Sequence, residues 1–336
     1  MPRPPGLILL LFALLLAACT PRVIPAGPAI TAPALDSAAL VMADGARLPL
    51  KAWLPAGPPR AVLLGLHGMN DAAEPFLEDA APLFTAAGVA VYAYDQRGFG
   101  GAPHPGRWAG GESLAADATA ASRLLRLRHP GLPVFLLGES MGAAIAVFAA
   151  GGAAPPEVAG YVLLAPALWG REAMPRLVRG AVWLAARTIP VVGFRGGAGG
   201  LRASDNEAAL ERLGSHPKTL KVTRVDAAYG LLGLMDHAVA AVPACCLGQD
   251  RQAVPVLAMV GARDALVPER ILRRILRQLP DDGLDRVAFY PEGWHLLLRD
   301  RQRAVVAGDI LAWLAAPAAP LPSGAEREGA AWLARP

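Results

Sequence analysis

The stretch Val134-Phe135-Leu136-Leu137-Gly138-Glu139-Ser140-Met141-Gly142-Ala143-Ala144-Ile145-Ala146-Val147 decides the fold. Four apolar residues run without a polar break into Gly138, as in a strand buried on both faces. Small residues from Ala143 onward then read as helix. Between the two lies Gly138-Glu139-Ser140-Met141-Gly142, a G-x-S-x-G pattern. A turn this sharp, from strand directly into helix, strains the backbone of its central residue and lifts that side chain above the sheet. Glycines flank it because a side chain would collide with a neighbouring strand or helix. Ser140 is therefore the candidate nucleophile, and the Met141 amide is placed beside it.

Outward from this turn, five further compact apolar runs read as buried strands: Ala61–Leu66, Val89–Tyr94, Tyr161–Leu164, Val256–Val260 and Val287–Tyr290. Helical stretches separate them at about 74–87, 112–129, 140–150, 268–279 and 301–315. Strand–helix alternation predicts an α/β fold with a mostly parallel sheet flanked by helices. In such folds, chemistry gathers at the carboxyl ends of the strands. His67, Asp95, Ser140, Asp264 and His295 all follow strand ends.

A serine hydroxyl needs a base within hydrogen-bond reach, and the base needs an orienting carboxylate. His295, in Glu292-Gly293-Trp294-His295 after the last strand, is the best placed of six histidines. His104 and His129 precede the serine, His67 is occupied by its own loop, and His216 and His237 fall between strands. Asp264, in Gly261-Ala262-Arg263-Asp264, is the candidate acid; Asp236 is the alternative. A developing oxyanion needs two backbone N–H groups. Met141 supplies one, and Met69, after His67-Gly68, the other.

Together, His67-Gly68-Met69-Asn70, Asp95-Gln96-Arg97-Gly98-Phe99-Gly100, Gly138-Glu139-Ser140-Met141-Gly142, Gly261-Ala262-Arg263-Asp264 with Val267-Pro268, and Glu292-Gly293-Trp294-His295 resemble an α/β-hydrolase. More narrowly, they resemble the monoacylglycerol lipase/lysophospholipase-like branch, grouped with serine aminopeptidases of the S33 type. The resemblance spans about residues 40–315. It implies Ser140 as nucleophile, Asp264 and His295 as its partners, and Met69 and Met141 as oxyanion donors. It also implies that Asp95–Gly100 is a structural turn, with Arg97 holding loops. One departure is Gly98-Phe99-Gly100-Gly101-Ala102, where the family has a serine at the last position.

The expected organisation is a lipoprotein signal peptide (1–18), a tether (19–38), the first part of the hydrolase core (39–167), a helical cap insertion (168–248), the second part of the core (249–316) and a C-terminal tail (317–336). Leu7–Leu16 is too short to span a bilayer and fits a signal-peptide apolar region. Leu16-Ala17-Ala18-Cys19 resembles a bacterial lipobox, which implies lipidation of Cys19. Thr20, rather than Asp, favours the outer membrane, facing the periplasm. The Pro- and Ala-rich residues that follow read as an extended tether. The tail, also rich in Ala and Pro, is expected to be partly disordered. Past the N-terminus no apolar run is long enough to cross a bilayer without Pro, Gly or charge.

In the insertion, Leu177–Ile189 and Ala227–Val242 are helical, joined through a Gly-rich stretch, Gly193–Gly200. Trp169, Leu177, Val178, Val182, Trp183, Leu231, Leu232, Leu234 and Met235 are candidates for an apolar entrance or for ordinary cap packing. The adjacent Cys245-Cys246 is expected as two buried thiols, an adjacent-residue ring being the alternative.

With Lys+Arg 32 against Asp+Glu 28, the net charge of +4 is a weak excess spread along the chain, so no nucleic-acid partner is expected. No His/Cys cluster has metal-ligand spacing; neither metal nor cofactor is expected. The expected function is carboxylic ester hydrolysis through an acyl-enzyme, on a lipid such as a monoacylglycerol or lysophospholipid, or on another small ester, beside a membrane. Two alternatives stay open. One is an amidase or aminopeptidase, for which Glu207 and Glu211 would have to hold a free amine. The other is a non-catalytic envelope lipoprotein on a hydrolase fold.

Overall fold

The computed structural model describes residues 21–195, 201–246, 248, 250, 252–280 and 283–336. The signal region, Cys19 and part of the Gly-rich stretch lie outside the described residues.

The sheet has nine strands: β1 (Ala34–Leu35), β2 (Ala39–Val41), β3 (Arg47–Trp53), β4 (Ala61–Leu66), β5 (Val89–Tyr94), β6 (Val134–Glu139), β7 (Gly160–Leu164), β10 (Val256–Gly261) and β11 (Arg286–Tyr290). Their spatial order is β1-β2-β3-β5-β4-β6-β7-β10-β11. From β5 across to β11 every pairing is parallel; β1 to β3 add an antiparallel edge. Every residue of β4, β5, β6, β7 and β10 is buried, which is why these strands read as unbroken apolar runs. Alternate residues feed two cores. Leu64, Leu66, Leu136 and Leu163 face one layer; Leu63, Leu137, Val162 and Leu164 face the other.

The helices divide accordingly. α3 (Gly111–Arg128), α4 (Met141–Ala150), α8 (Glu269–Leu276) and α10 (Ala325–Ala334) cover the first face; α1 (Ala73–Leu77), α2 (Ala81–Ala86) and α9 (Arg303–Ala315) cover the second. Between β7 and β10 the chain leaves the sheet to form α5 (Arg176–Thr188), α6 (Glu207–Ser215), α7 (Val225–Ala241) and a short β8–β9 ribbon (Gly193–Phe194 with Thr223–Arg224). Residues Val225–Ala244 are long and apolar enough, by length and composition, to cross a membrane, although Gly230, Gly233 and Pro243 interrupt the run. This is α7 and its continuation; it carries Asp226 and Asp236, and Leu234, Met235 and Ala238 are buried in the core shared with α4.

Three expectations are corrected. The described part of the tether does not hang free. Val23 bridges to Trp108, Ile24 donates to the Trp108 carbonyl at 2.8 Å, Ile30 and Thr31 both donate to Ala43, and Ala34–Leu35 is a strand. Prolines prevent it from forming long regular structure but leave its other amides free to bond. The tail is ordered too. Trp332 of α10 is fully buried and stacks on Phe289, and its indole N–H donates to Glu269 at 2.8 Å. Finally, the buried Cys245 and Cys246 are joined in a disulfide, their Cα atoms 3.7 Å apart, with Cys246 in the left-handed region.

Candidate functional site

β6 ends at Glu139 and α4 begins at Met141, so Ser140 alone makes the turn, at φ +55° and ψ −111°. A non-glycine residue there is strained, and such strain clusters at functional positions. The flanking glycines have the steric cause expected. A Cβ on Gly138 would lie 2.4 Å from the Gly142 backbone, and one on Gly142 would lie 2.0 Å from the Leu66 carbonyl oxygen. Neither position admits any other residue without displacing β4 or α4.

Asp264 follows β10, and His295 follows β11. The His295 Nδ1–H donates to Asp264 Oδ2 at 2.8 Å; a carboxylate can only accept, so this contact fixes the tautomer. The other Asp264 oxygen accepts from the Leu266 and Val267 amides at 2.8 and 3.2 Å. Burial pulls the His295 imidazole downward, but the Asp264 hydrogen bond and charge, helped by Glu139, leave it above its ordinary value. The alternative acid, Asp236, is engaged elsewhere: it accepts from the Arg171 amide and pairs with that guanidinium.

Ser140, His295 and Met69 open into one cavity of about 630 Å³. Its walls come largely from the insertion, with Trp169, Leu210, Leu213, Leu231 and Met235 among them. Gly68 brings its loop close to the serine; a Cβ on it would be 3.6 Å from Ser140 Cβ. As the first residue of α4, Met141 has an N–H without an intrahelical partner. Among the described residues no backbone carbonyl accepts the Met69 N–H.

The other apolar candidates separate. Trp169, Leu231 and Met235 line this cavity. Val182, Trp183 and Leu232 line a different cleft of about 380 Å³ between α5 and α7, together with Arg171, Arg176 and Arg179. Leu177 and Val178 are exposed, and Leu234 is core. Helical spacing shows that a stripe is apolar but not which side of the cap it meets.

His67 is fully buried. Its Nδ1 donates to the Gly68 carbonyl at 2.8 Å and its Nε2 accepts from the Gln96 amide at 3.1 Å, so it is the neutral Nδ1–H form. Burial, the dominant influence, pushes it below its ordinary value. Arg97 joins Asp44 and Asp117 in a buried cluster, and Asp95 accepts from the Ala73 and Gly101 amides; both hold loops.

One cluster escapes the sequence pattern. Arg299, four residues after His295, is buried between Asp71, at 2.7 Å, and Glu139. Glu139 Oε2 has no hydrogen-bond partner among the described residues. Burial pushes the Glu139 carboxyl up to about 7 despite Arg299. The trace it leaves in the sequence is an Arg directly after Leu296-Leu297-Leu298, masked by Arg301 and Arg303 just beyond it.

Comparison with known proteins agrees with this architecture. The family model described as serine aminopeptidase, S33 (Hydrolase_4) matches residues 57–302. A monoacylglycerol lipase of Mycolicibacterium smegmatis is 25% identical over 281 residues, covering 80% of this chain and 93% of that protein. Human monoglyceride lipase is 33% identical over 142 residues, 40% of this chain and 44% of that one. Among solved structures, the monoacylglycerol lipase of Paleococcus ferrophilus superposes with a TM-score of 0.65 at 21% identity, over 80% of this chain and 99% of that one. A soluble variant of the Saccharomyces cerevisiae monoglyceride lipase gives 0.65 at 20%, over 88% and 97%. With a matched model spanning most of its length and a strand–Ser140–helix turn of the required geometry, the chain belongs to the Hydrolase_4 (S33) family of α/β-hydrolases and is monoglyceride lipase-like.

Proposed function

We propose that this chain is a serine ester hydrolase acting on monoacylglycerols or lysophospholipids, held at the bacterial outer membrane by a lipid on Cys19. The observation that carries the reading is the strained Ser140 opening, with the His295–Asp264 pair, into one cavity walled by apolar side chains of the insertion. In the proposed reaction, Ser140 Oγ attacks the ester carbonyl while His295 Nε2 takes its proton. The negative oxygen of the tetrahedral intermediate is met by the Met69 and Met141 amides. The intermediate collapses, the alcohol leaves with the proton from His295, and water, activated by the same imidazole, frees the acid and restores Ser140. Asp264 keeps the tautomer and balances the imidazolium charge.

An aminopeptidase needs an acid for the substrate amine. Glu207 is instead paired with Arg202 at 2.6 Å, and the two acids of the cavity wall, Asp71 and Glu139, are both paired with the buried Arg299. Lys221 adds a cation to the same wall, which disfavours a cationic substrate portion.

The test is ester hydrolysis against acyl chain length, with Ser140→Ala alongside. Serine-dependent turnover rising toward long-chain monoacylglycerols or lysophospholipids is expected. A maximum at short acyl chains would replace the lipid reading by a general esterase, and no serine-dependent turnover on any ester would overturn the function. Cys19→Ser is expected to release the protein from membranes; unchanged fractionation would remove the anchor.

A further inference from the structure

The loop that carries His295 is tied to the insertion on both sides of the histidine. The Leu296 amide, just after it, donates to the Ala203 carbonyl at 3.0 Å. The Trp294 amide, just before it, donates to Asp300 Oδ2 at 2.8 Å, and Asp300 Oδ1 accepts the Ser204 hydroxyl at 2.6 Å. Two further contacts extend the seam. Asn206 Nδ2 donates to the Arg299 carbonyl at 2.9 Å, and the Arg301 amide donates to Asp205 Oδ1 at 2.8 Å. Ser204 and Asp300 are both fully buried. Asn206 also caps α6, its Oδ1 accepting from the Ala209 amide at 3.4 Å. That helix supplies Leu210 and Leu213 to the cavity.

We propose that Ser204 and Asn206, residues of the insertion, are positioning residues for His295: they hold its loop through Asp300 and the Arg299 carbonyl, and so join the acyl-cavity wall to the catalytic base. The chemistry requires this kind of support. An imidazole displaced by about 1 Å loses on the order of 100-fold in rate. Asp264 fixes one ring nitrogen, but a single hydrogen bond leaves the ring free to swing about it; the backbone on either side must be held as well. The seam provides that restraint, and it is assembled only when the insertion is docked. The proposal rests on the hydrolase reading above for its kinetic test, but not for its structural one.

Asp300 gives the seam a pH signature. Burial raises its carboxyl to about 6, opposed by the Ser204 hydroxyl, the Trp294 amide and the Arg299 charge, while the neighbouring Asp205 charge raises it further. The Arg303 guanidinium reaches the carbonyl of Asp300 rather than its carboxylate. Removing the Ser204 hydroxyl takes away the leading opposing influence, so Asp300 takes up its proton at higher pH. A protonated Asp300 is a weaker acceptor for the Trp294 amide.

The experiment uses the full chain and two variants. Ser204→Ala cuts the link to Asp300. Asn206→Ser keeps a good cap for α6 but withdraws the donor from the Arg299 carbonyl, and it serves if Ser204→Ala fails to fold. On a soluble short-chain ester, each is expected to lower kcat by about tenfold with KM within about twofold. In Ser204→Ala the acid limb of the kcat profile is expected to move to higher pH. Independently of activity, the far-downfield proton resonance of the His295 Nδ1–H is expected to broaden or shift in both variants. Wild-type kcat, acid limb and resonance in both would overturn the proposal. So would a loss of rate that is equal at all pH, comes with a matching rise in KM and leaves the resonance unmoved, since that describes passive support of the cavity. If wild-type protein shows no Ser140-dependent turnover, the hydrolase reading fails, and the resonance alone decides the seam.

Discussion

The strand–helix turn at Ser140 and the helix α5 of the insertion obey opposite rules. At the turn, atoms are so close that a single added carbon at Gly138 or Gly142 has no place to go. On α5, Leu177 is 89% exposed and Trp183 44%, and Ala186 alone among its thirteen residues is buried. The first region is defined by what its neighbours exclude. The second is apolar and cationic with little of the described protein packed against it. One chain can therefore hold its chemistry rigid while the surface over it stays open to change.

The sharpest way to break this comparison is at the turn itself. Ser140→Ala is expected to remove ester turnover by at least about 1000-fold while the melting temperature stays within a few degrees, as hydrolysis assays and thermal unfolding would show. Asp264→Asn is expected to lower kcat by about 1000-fold or more through the wrong tautomer of His295. Asp236→Asn, in the insertion, should leave kcat within a few-fold, and a reversal of this order would make Asp236 the working acid. Next in size, Leu210→Ala or Leu213→Ala is expected to lower kcat/KM for long-chain esters by roughly tenfold with little effect on a short-chain ester.

The pH profile separates the regions in another way. His295 must be neutral to accept a proton, so activity rises with pH through its titration. Because that titration is raised, the rise is expected above the ordinary histidine value. Glu139→Gln removes one of the charges that raise it, and the acid limb should then move to lower pH; an unmoved limb would sever Glu139 from the base. Smallest of all, Leu177→Ser is expected to change unfolding free energy by no more than about 0.5 kcal/mol, whereas Leu136→Ala in β6 should cost about 3 kcal/mol. Chemical denaturation would measure both.

The same contrast explains what was legible in the sequence. Strands buried on both faces spell themselves out as Val62-Leu63-Leu64 or Leu136-Leu137, and an abrupt turn demands glycine at fixed spacing. The sheet, Ser140, Asp264 and His295 could thus be located. β2 and β3 could not: β2 is only three residues long, and Pro49 and Lys51 interrupt the apolar pattern of β3, which is only partly covered. The order of the N-terminal segment and of the tail rests on Val23, Trp108 and Trp332 finding distant partners, which composition does not record. The sidedness of the insertion was equally hidden. Leu231 and Trp183 are both apolar positions on helices, yet one faces the serine and the other an outer cleft. Least visible was the seam at Ser204 and Asn206. It depends on the Asp300 carboxylate and the Arg299 carbonyl, more than 90 residues away, and no local sequence pattern marks such distant acceptors as spoken for.

The backbone of Ser140 carries a wager about the protein's history. A residue with a Cβ at φ +55° costs the fold on the order of 1 kcal/mol that glycine would not. A chain that had stopped using the hydroxyl would gain stability at once from a single Ser140→Gly exchange, and drift would supply it. This chain carries the costlier residue at the tightest point of the molecule, and the fold alone gives no reason for it.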